Sequence, residues 1–347
     1  MQEKRILVIC AAAFLAIAAG CGLFVGLRYY YDRKAPEFRN EYILYVYPDT
    51  PAAEVTDSLV SGAGAKRTGS IRRCARSLGL EEGLKPGKYT ILPEHSAAYV
   101  VRMLANGWQT PQNLTLSGTV RSKGRLAKVI GMQMMADSAE IAAALDNDTL
   151  LASYGFTPEN VFALFLPDTY EMYWTASVES ILGRFKKEYD SFWTPERVSL
   201  AADQGLTPME ASILASIVNG ETLKAEEYPR IAGVYLNRLH SGMKLQADPT
   251  ICFCFDYTLD RVLRKHLTVD SPYNTYKYRG LPPAPINVPP KACIEAVLHP
   301  DEHGYLYFCA SPEFDGTHRF AVTYREHLKN AREFQRALTA RQKVAGI

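Results

Sequence analysis

Near the middle of the chain, Ala215-Ser216-Ile217-Val218-Asn219-Gly220-Glu221-Thr222 puts a carboxylate at the end of an apolar helical run. Leu214, Ile217 and Val218 recur at helical spacing, and Glu221 takes the next position of that stripe. The side chain is therefore aimed at the core side of its helix. It also sits at the helix C-terminus, where the macrodipole is negative, so partial burial and the dipole both act to raise its pKa. A carboxyl that stays protonated near neutral pH is what a general acid needs. Helical-wheel positions blur at a helix end, and the same pattern also describes a glutamate that points at water.

Aromatic and polar residues gather in the flanking segments. Asp168-Thr169-Tyr170-Glu171 lies upstream; Asn237-Arg238 and then Gln246-Ala247-Asp248-Pro249 end a helix and open a polar loop; Tyr273-Asn274-Thr275-Tyr276 precedes Gly280-Leu281-Pro282-Pro283. Rings for CH stacking and amides and carboxylates for hydroxyl groups suit a glycan. The same residue types are also ordinary turn formers beside proline and glycine. His299-Pro300-Asp301-Glu302-His303 matches the H-x-x-E-H pattern of inverted zinc peptidases, but Pro300 and Gly304 deny it the helix that would bring both imidazoles to one face. A turn is expected there, and His318 and His327 are read as hydrogen-bonded loop or helix-start residues. The seven cysteines form no C-x-x-C pair, and Cys252 and Cys254, two apart on an expected strand, are badly placed to bridge. The sequence assigns no disulfide pairing and leaves the oxidation state of Cys252, Cys254, Cys293 and Cys309 open; no metal or other cofactor is expected.

Such residues need a scaffold. With 347 residues, 47% hydrophobic and 22% charged, the chain has material for two or three domains with buried cores. Its 39 Lys and Arg against 37 Asp and Glu leave a formal charge of +2, so no nucleic-acid partner is expected. Ile6 to Leu27 is a run of 22 uncharged residues between Lys4-Arg5 and Arg28, long enough to span a bilayer once. It is read as an uncleaved anchor with a cytoplasmic N-terminus. Ala18-Ala19-Gly20-Cys21 could pass for a lipoprotein box, but the apolar run continues past it through Leu27. Beyond a polar linker, Tyr42 to Tyr47 reads as a strand, Thr50-Pro51 as the start of a helix to about Ser61, Ser70 to Leu80 as a second helix, Lys85 to Leu92 as a turn into a strand, and Ser96 to Ala105 as a helix. Helices dominate afterwards: Arg125 to Gln133, Ser138 to Leu145, Val178 to Trp193, Thr207 to about Thr222, Glu226 to Leu239 and Tyr324 to about Gln342, interrupted by the proline-rich stretch from Leu281 to Pro290. The fold class is α+β.

The runs LFLPDTYEMY, ASIVNGET, AGVYLNRLHSGMKLQADPT, SPYNTYKYRGLPPAPI and YLYFCASPEFDGTHRF, in this order, resemble the signature blocks of the MltG (YceG-like) endolytic murein transglycosylases. The likeness is strong from Leu114 to Lys329. It implies a cytoplasmic N-terminus at 1–5, a single transmembrane helix at 6–27, a linker at 28–40, a small LysM-like β-α-α-β module at 41–113 and a larger, mainly helical catalytic domain with short strands at 114–347. The family's catalytic acid falls on Glu221; many members carry a second glutamate where this chain has Asn219. Asp168, Tyr170, Asn237, Gln246, Asp248, Tyr273, Asn274 and Tyr276 match family positions and are expected to contact the glycan or support those that do. The implied reaction is nonhydrolytic cleavage of the β-1,4 bond between N-acetylmuramic acid and N-acetylglucosamine in nascent peptidoglycan, leaving 1,6-anhydro ends and terminating chains. It would be carried out on the outer side of the cytoplasmic (inner) membrane, with penicillin-binding proteins or other cell-wall synthesis machinery as partners. Two rivals stay open. One is a hydrolytic muramidase pairing Glu221 with Asp168, Glu171 or Asp248; the other is a membrane-tethered glycan-binding protein without catalysis.

Overall fold

The computed structural model describes residues 2–345; Met1, Gly346 and Ile347, which fall inside the outer boundaries expected above, lie outside the described residues. Helix and sheet are mixed, and the chain forms two compact units. One consists of Met1–Asn113 with Glu171–Ala176, the other of Leu114–Tyr170 with Ser177–Ile347.

The first unit begins with helix α1 (Gln2–Arg33), which is long and apolar enough to cross a membrane and whose Ile6, Leu7, Phe14 and Leu23 are exposed. Strand β1 (Tyr42–Val46) leads to α2 (Ala52–Ser61), α3 (Thr68–Ser77) and the short α4 (Leu80–Gly83), and the chain returns in β2 (Gly87–Ile91). β1 and β2 pair antiparallel with Leu44 opposite Tyr89 and Val46 opposite Gly87. The period-2 alternation of a strand puts Leu44, Val46, Tyr89 and Ile91 on one buried face. That face packs with Val55, Leu59, Ile71 and residues of α5 (Ala97–Asn106) in a single core. Helix α5 is bounded as its sequence dictates: the Ser96 hydroxyl accepts the Tyr99 N–H at 3.3 Å, and Gly107, at φ 70°, closes the last turn in a left-handed conformation that glycine adopts without strain. Strand β3 (Gln112–Thr115) follows.

In the remaining chain come α6 (Lys123–Gly131), α7 (Ser138–Leu145), α8 (Asp148–Ala152), strand β4 (Thr169–Met172), which pairs with β3, then α9 (Val178–Phe192) and α10 (Pro195–Asp203). Helix α11 (Pro208–Glu221) is followed by α12 (Tyr228–His240), α13 (Asp248–Cys254), α14 (Lys291–Leu298), the hairpin β5 (Tyr307–Ala310) and β6 (His318–Ala321), and α15 (Tyr324–Ala345). The core of the second unit is built on α11: Leu214, Ala215, Ile217 and Val218 pack with Ile231 and Tyr235 of α12 and Ile294 and Val297 of α14.

One local expectation is corrected, and one element is added. Cys252 and Cys254 lie on a helix, not a strand, because Asp248-Pro249 opens α13 with proline in its first turn, where the missing N–H has no intrahelical partner to lose. The stretch after Pro290, to which no element is assigned above, is the helix α14, again entered from a proline.

Candidate active site

Helix α11 owes its start to a reciprocal cap. The Thr207 hydroxyl accepts the Glu210 N–H at 3.2 Å, the Glu210 carboxylate accepts the Thr207 N–H at 2.8 Å, and Pro208 supplies a preset φ. From Ala211 to Asn219 every residue is buried, so this is a central helix enclosed on all sides and not the amphipathic one that its apolar stripe suggests. Its polar residues are accordingly satisfied inside the protein. Ser216 donates to the Ile213 carbonyl at 2.7 Å and accepts the Ile286 N–H at 3.0 Å; Asn219 donates to the Asn287 amide oxygen at 2.9 Å; Asn287 donates to the Ser216 carbonyl at 2.7 Å. These bonds fasten the proline-rich segment around Ile286 to α11. Asn219 thus serves the scaffold.

Glu221 emerges at the end of this enclosed helix, half-buried. The Tyr235 hydroxyl, buried on α12, donates a hydrogen bond to Glu221 Oε1. Burial pushes the Glu221 carboxyl up to about 7; the Tyr235 hydrogen bond and the Arg238 charge pull it down, and the Asp248 charge pushes it up. Arg238 sits three residues after Tyr235 on the same face of α12 and is itself immobilised, donating from Nε to the Leu306 carbonyl at 2.6 Å and from Nη1 to the Leu245 carbonyl at 2.5 Å.

The opposite side of the site is made of two loops tied together below the surface. Thr275 Oγ1 accepts the Ala247 N–H at 3.0 Å and lies 2.8 Å from Thr250 Oγ1, while the Gln246 N–H donates to the Thr275 carbonyl at 3.1 Å. From this knot Tyr276 donates to Asp248 Oδ1 at 2.5 Å. Gln246 is held at φ 49°, a left-handed conformation that costs a non-glycine residue about 1 kcal/mol. Such strain concentrates at functional sites. Gly220 completes the fit: a Cβ there would lie 2.5 Å from Pro249 Cβ, so only glycine lets α13, and with it Asp248, come this close to the end of α11.

The eight residues expected beside Glu221 therefore divide. Asp248 and Tyr276 meet at the site, and Gln246 is exposed on the same loop. Asn274 is fully buried, its nitrogen donating to the Leu267 and Val269 carbonyls and its oxygen accepting the Tyr276 and Lys277 N–H groups, so it folds the loop and has no capacity left for a sugar. Asn237 donates to the His303 and Tyr305 carbonyls at 2.8 and 3.1 Å. Tyr170 is a core residue that donates to the Leu166 carbonyl and packs edge-on against Phe185. Tyr273 is buried against Phe253 and donates to Glu159 at 3.2 Å. Asp168 is exposed and paired with Lys291 at 2.5 Å. Tyr170, Asn237, Tyr273 and Asn274 thus have their polar atoms engaged with the protein's own loops and core.

Tyr235 is the site residue that the sequence reading missed. Its signal was a polar-tipped ring at a core position of α12, one turn before a buried arginine. A second omission lies directly beyond Glu221. Buried Glu227 accepts the His318 N–H at 2.8 Å with Oε1, while its Oε2 lies 2.8 Å from His318 Nδ1 and accepts the Thr222 hydroxyl at 3.4 Å, tying the segment after α11 to β6. The H-x-x-E-H decoy is taken up in packing: His303 Nδ1 accepts the Tyr305 N–H at 3.2 Å and its Nε2 lies 2.9 Å from the Arg230 carbonyl.

The family model described as the YceG-like family matches residues 44–333. The chain belongs to the YceG-like family. Two relatives are named endolytic murein transglycosylase. That of Bacillus subtilis (strain 168) is 37% identical over 153 residues, 44% of this chain and 42% of its own length; that of Streptococcus pneumoniae serotype 2 is 25% identical over 365 aligned positions, 96% of this chain and 66% of its own length. The match thus spans less than two thirds of either relative. A crystal structure of a YceG-like protein from Listeria monocytogenes superposes with a TM-score of 0.55 at 25% identity, covering 83% of this chain and 98% of that one.

Proposed function

We propose that this YceG-like chain is a lytic transglycosylase of peptidoglycan in which Glu221 acts first as acid and then as base. One observation carries the reading: a half-buried carboxyl raised to about 7, with one oxygen occupied by a buried tyrosine. With Oε1 engaged by Tyr235, Oε2 is the oxygen available to carry the transferable proton. That proton passes to the glycosidic oxygen between N-acetylmuramic acid and N-acetylglucosamine as its bond to the anomeric carbon breaks. The resulting carboxylate removes the proton of the muramoyl 6-hydroxyl, whose oxygen bonds to the anomeric carbon, and a 1,6-anhydro end forms while the acid is regenerated. A carboxyl poised near the working pH serves both directions. Endolytic cuts of this kind terminate nascent strands in cell-wall assembly.

Asp248 favours a second reading. Its charge is felt by Glu221, and a hydrolytic muramidase uses a second carboxylate to activate water or attack the sugar. The product separates the two. Digestion of uncrosslinked glycan in oxygen-18 water should give anhydro ends without label; label in the muramoyl end would establish hydrolysis. Glu221→Gln keeps the side-chain volume but has no proton to transfer, so glycan binding should persist while turnover falls at least ~100-fold. Full turnover by this variant would remove Glu221 as the acid in both enzymatic readings; glycan bound without any turnover by the wild type would leave the glycan-binding one.

In this scheme α1 is the membrane anchor, both units lie on the outer side, and the part of the first unit from β1 to β2, in which the short α4 adds a third helix to the expected β-α-α-β order, is a LysM-like module holding the chain on murein. Penicillin-binding proteins or other wall-synthesis enzymes would supply the strands.

A further inference from the structure

The apolar run of α1 ends at Leu27, and 22 helical residues rise about 33 Å, against a hydrocarbon core of about 30 Å. Arg28 then sits at headgroup level, followed by the exposed Tyr29, Tyr30 and Tyr31, the residue type that populates the membrane interface. At this level the folded part of the first unit meets the helix and leaves a cleft of about 430 Å³. Phe24 and Leu27 form its apolar end, and Arg28, Tyr31, Arg67 and Arg73 its polar end; no carboxylate lines it.

The arginines are arranged, not merely near. Arg73 grips Asp32 through Nε at 3.0 Å and Nη2 at 2.5 Å, and a Cβ on Gly69, also in the lining, would come within 3.0 Å of its Nη1. Arg67 lies over the Tyr31 ring at 4.6 Å and pairs with Glu37 at 2.9 Å. Arg28 is half exposed and only 4.0 Å from Asp32. Three guanidinium groups face two carboxylates, so one positive charge is in excess. The surplus positive charge of the guanidinium groups that line the cleft calls for an anion, and the apolar end of the same cleft calls for something with a hydrocarbon part.

We propose that this cleft binds the phosphate of an anionic phospholipid headgroup, with the acyl chains along Phe24 and Leu27. The proposal rests on α1 being a membrane span. Inorganic phosphate shares the headgroup chemistry but lacks the tail, and the test includes it.

The full chain is inserted into nanodiscs of mixed phosphatidylglycerol and phosphatidylcholine, and the lipids that remain bound after the discs are dissolved are read by native mass spectrometry. Phosphatidylglycerol should be retained over phosphatidylcholine. Arg28→Gln, at a half-exposed position that leaves the fold intact, should cut that preference roughly fivefold. Arg67→Lys keeps a charge opposite Glu37 but removes the guanidinium fork from the lining, and should cut it too. Lys34→Gln, outside the cleft, should not. Unchanged preference in both arginine variants, or an equal loss in Lys34→Gln, overturns the site; displacement of the lipid by excess inorganic phosphate assigns it to free phosphate and overturns the lipid. A chain that fails to enter the discs at all overturns the span, and the proposal with it.

Discussion

At Glu221 the raised pKa has a consequence for stability as well as for the proposed catalysis. An unfolded glutamate titrates at 4.5 and the folded one at about 7, so the folded state holds the proton more tightly. The stability this confers is complete below pH 4.5 and is lost as pH rises through 7; a difference of about 2.5 pH units corresponds to about 3 kcal/mol. Glu221→Gln never ionises and should therefore be more stable than wild type at pH 8, by up to about 3 kcal/mol, and equal to it near pH 4. Denaturant titrations at the two pH values check this, and a parallel loss with pH in both proteins would show that Glu221 ionises freely. Tyr235→Phe deletes the hydrogen bond that lowers the Glu221 pKa. Its alkaline limb of kcat/KM should move to higher pH, with a lower plateau because the carboxyl is no longer held by one oxygen. A limb that stays in place would mean that the tyrosine only packs. The place of Glu221 at a helix end was legible in the sequence, since apolar spacing and Asn219-Gly220 mark it. Tyr235 was not: fourteen residues and a turn separate it from Glu221, and no local spacing reports that two helices bring them together.

Among the elements, the helices entered by side-chain caps were the easiest to foresee. Thr207-Pro208 with Glu210 and Ser96 with Gly107 announce their ends by chemistry within the segment itself. The short helices α13 and α14 were obscured because both open beside prolines, which also serve in loops, and because seven or eight residues carry too little periodicity to outvote them. Yet α13 is the element that sets the width of the site, through Gly220. Replacing this glycine with alanine in a helix should stabilise by about 1 kcal/mol through propensity alone. Here the new methyl would meet Pro249 at 2.5 Å, and forcing a carbon into a packed helix contact costs about 1–3 kcal/mol. The clash wins. Gly220→Ala should lower the melting temperature and, by pushing α13 outward with Asp248, lower kcat/KM. A gain in thermal stability with unchanged turnover would show that the helices separate at no cost.

On the scale of the whole molecule, the division of the chain is not a single cut. Glu171–Ala176 lies far along the sequence yet belongs to the first unit. Trp174, 5% exposed, stacks edge-on against Tyr45 and Tyr47 at 4.9 Å each, and Thr175 exchanges hydrogen bonds of 2.9 and 3.1 Å with Gln109. A six-residue excursion into an earlier core has no sequence signature, because its partners lie more than sixty residues upstream; Tyr45 on β1 and Tyr47 just beyond its end show only that this side of the strand has something to cover it. A chain beginning at Leu114 retains the core built on α11 but uncovers Trp174. It should fold and still aggregate, and Trp174→Gln within that shortened chain should restore solubility by removing the exposed ring. In the full chain the same substitution should instead destabilise the first unit by about 3–5 kcal/mol, the range for losing a buried tryptophan side chain. Light scattering of the shortened pair and denaturant unfolding of the full-length pair test the two halves of the argument. Equal solubility of the shortened proteins, together with equal stability of the full-length ones, would mean that this segment does not depend on the first unit.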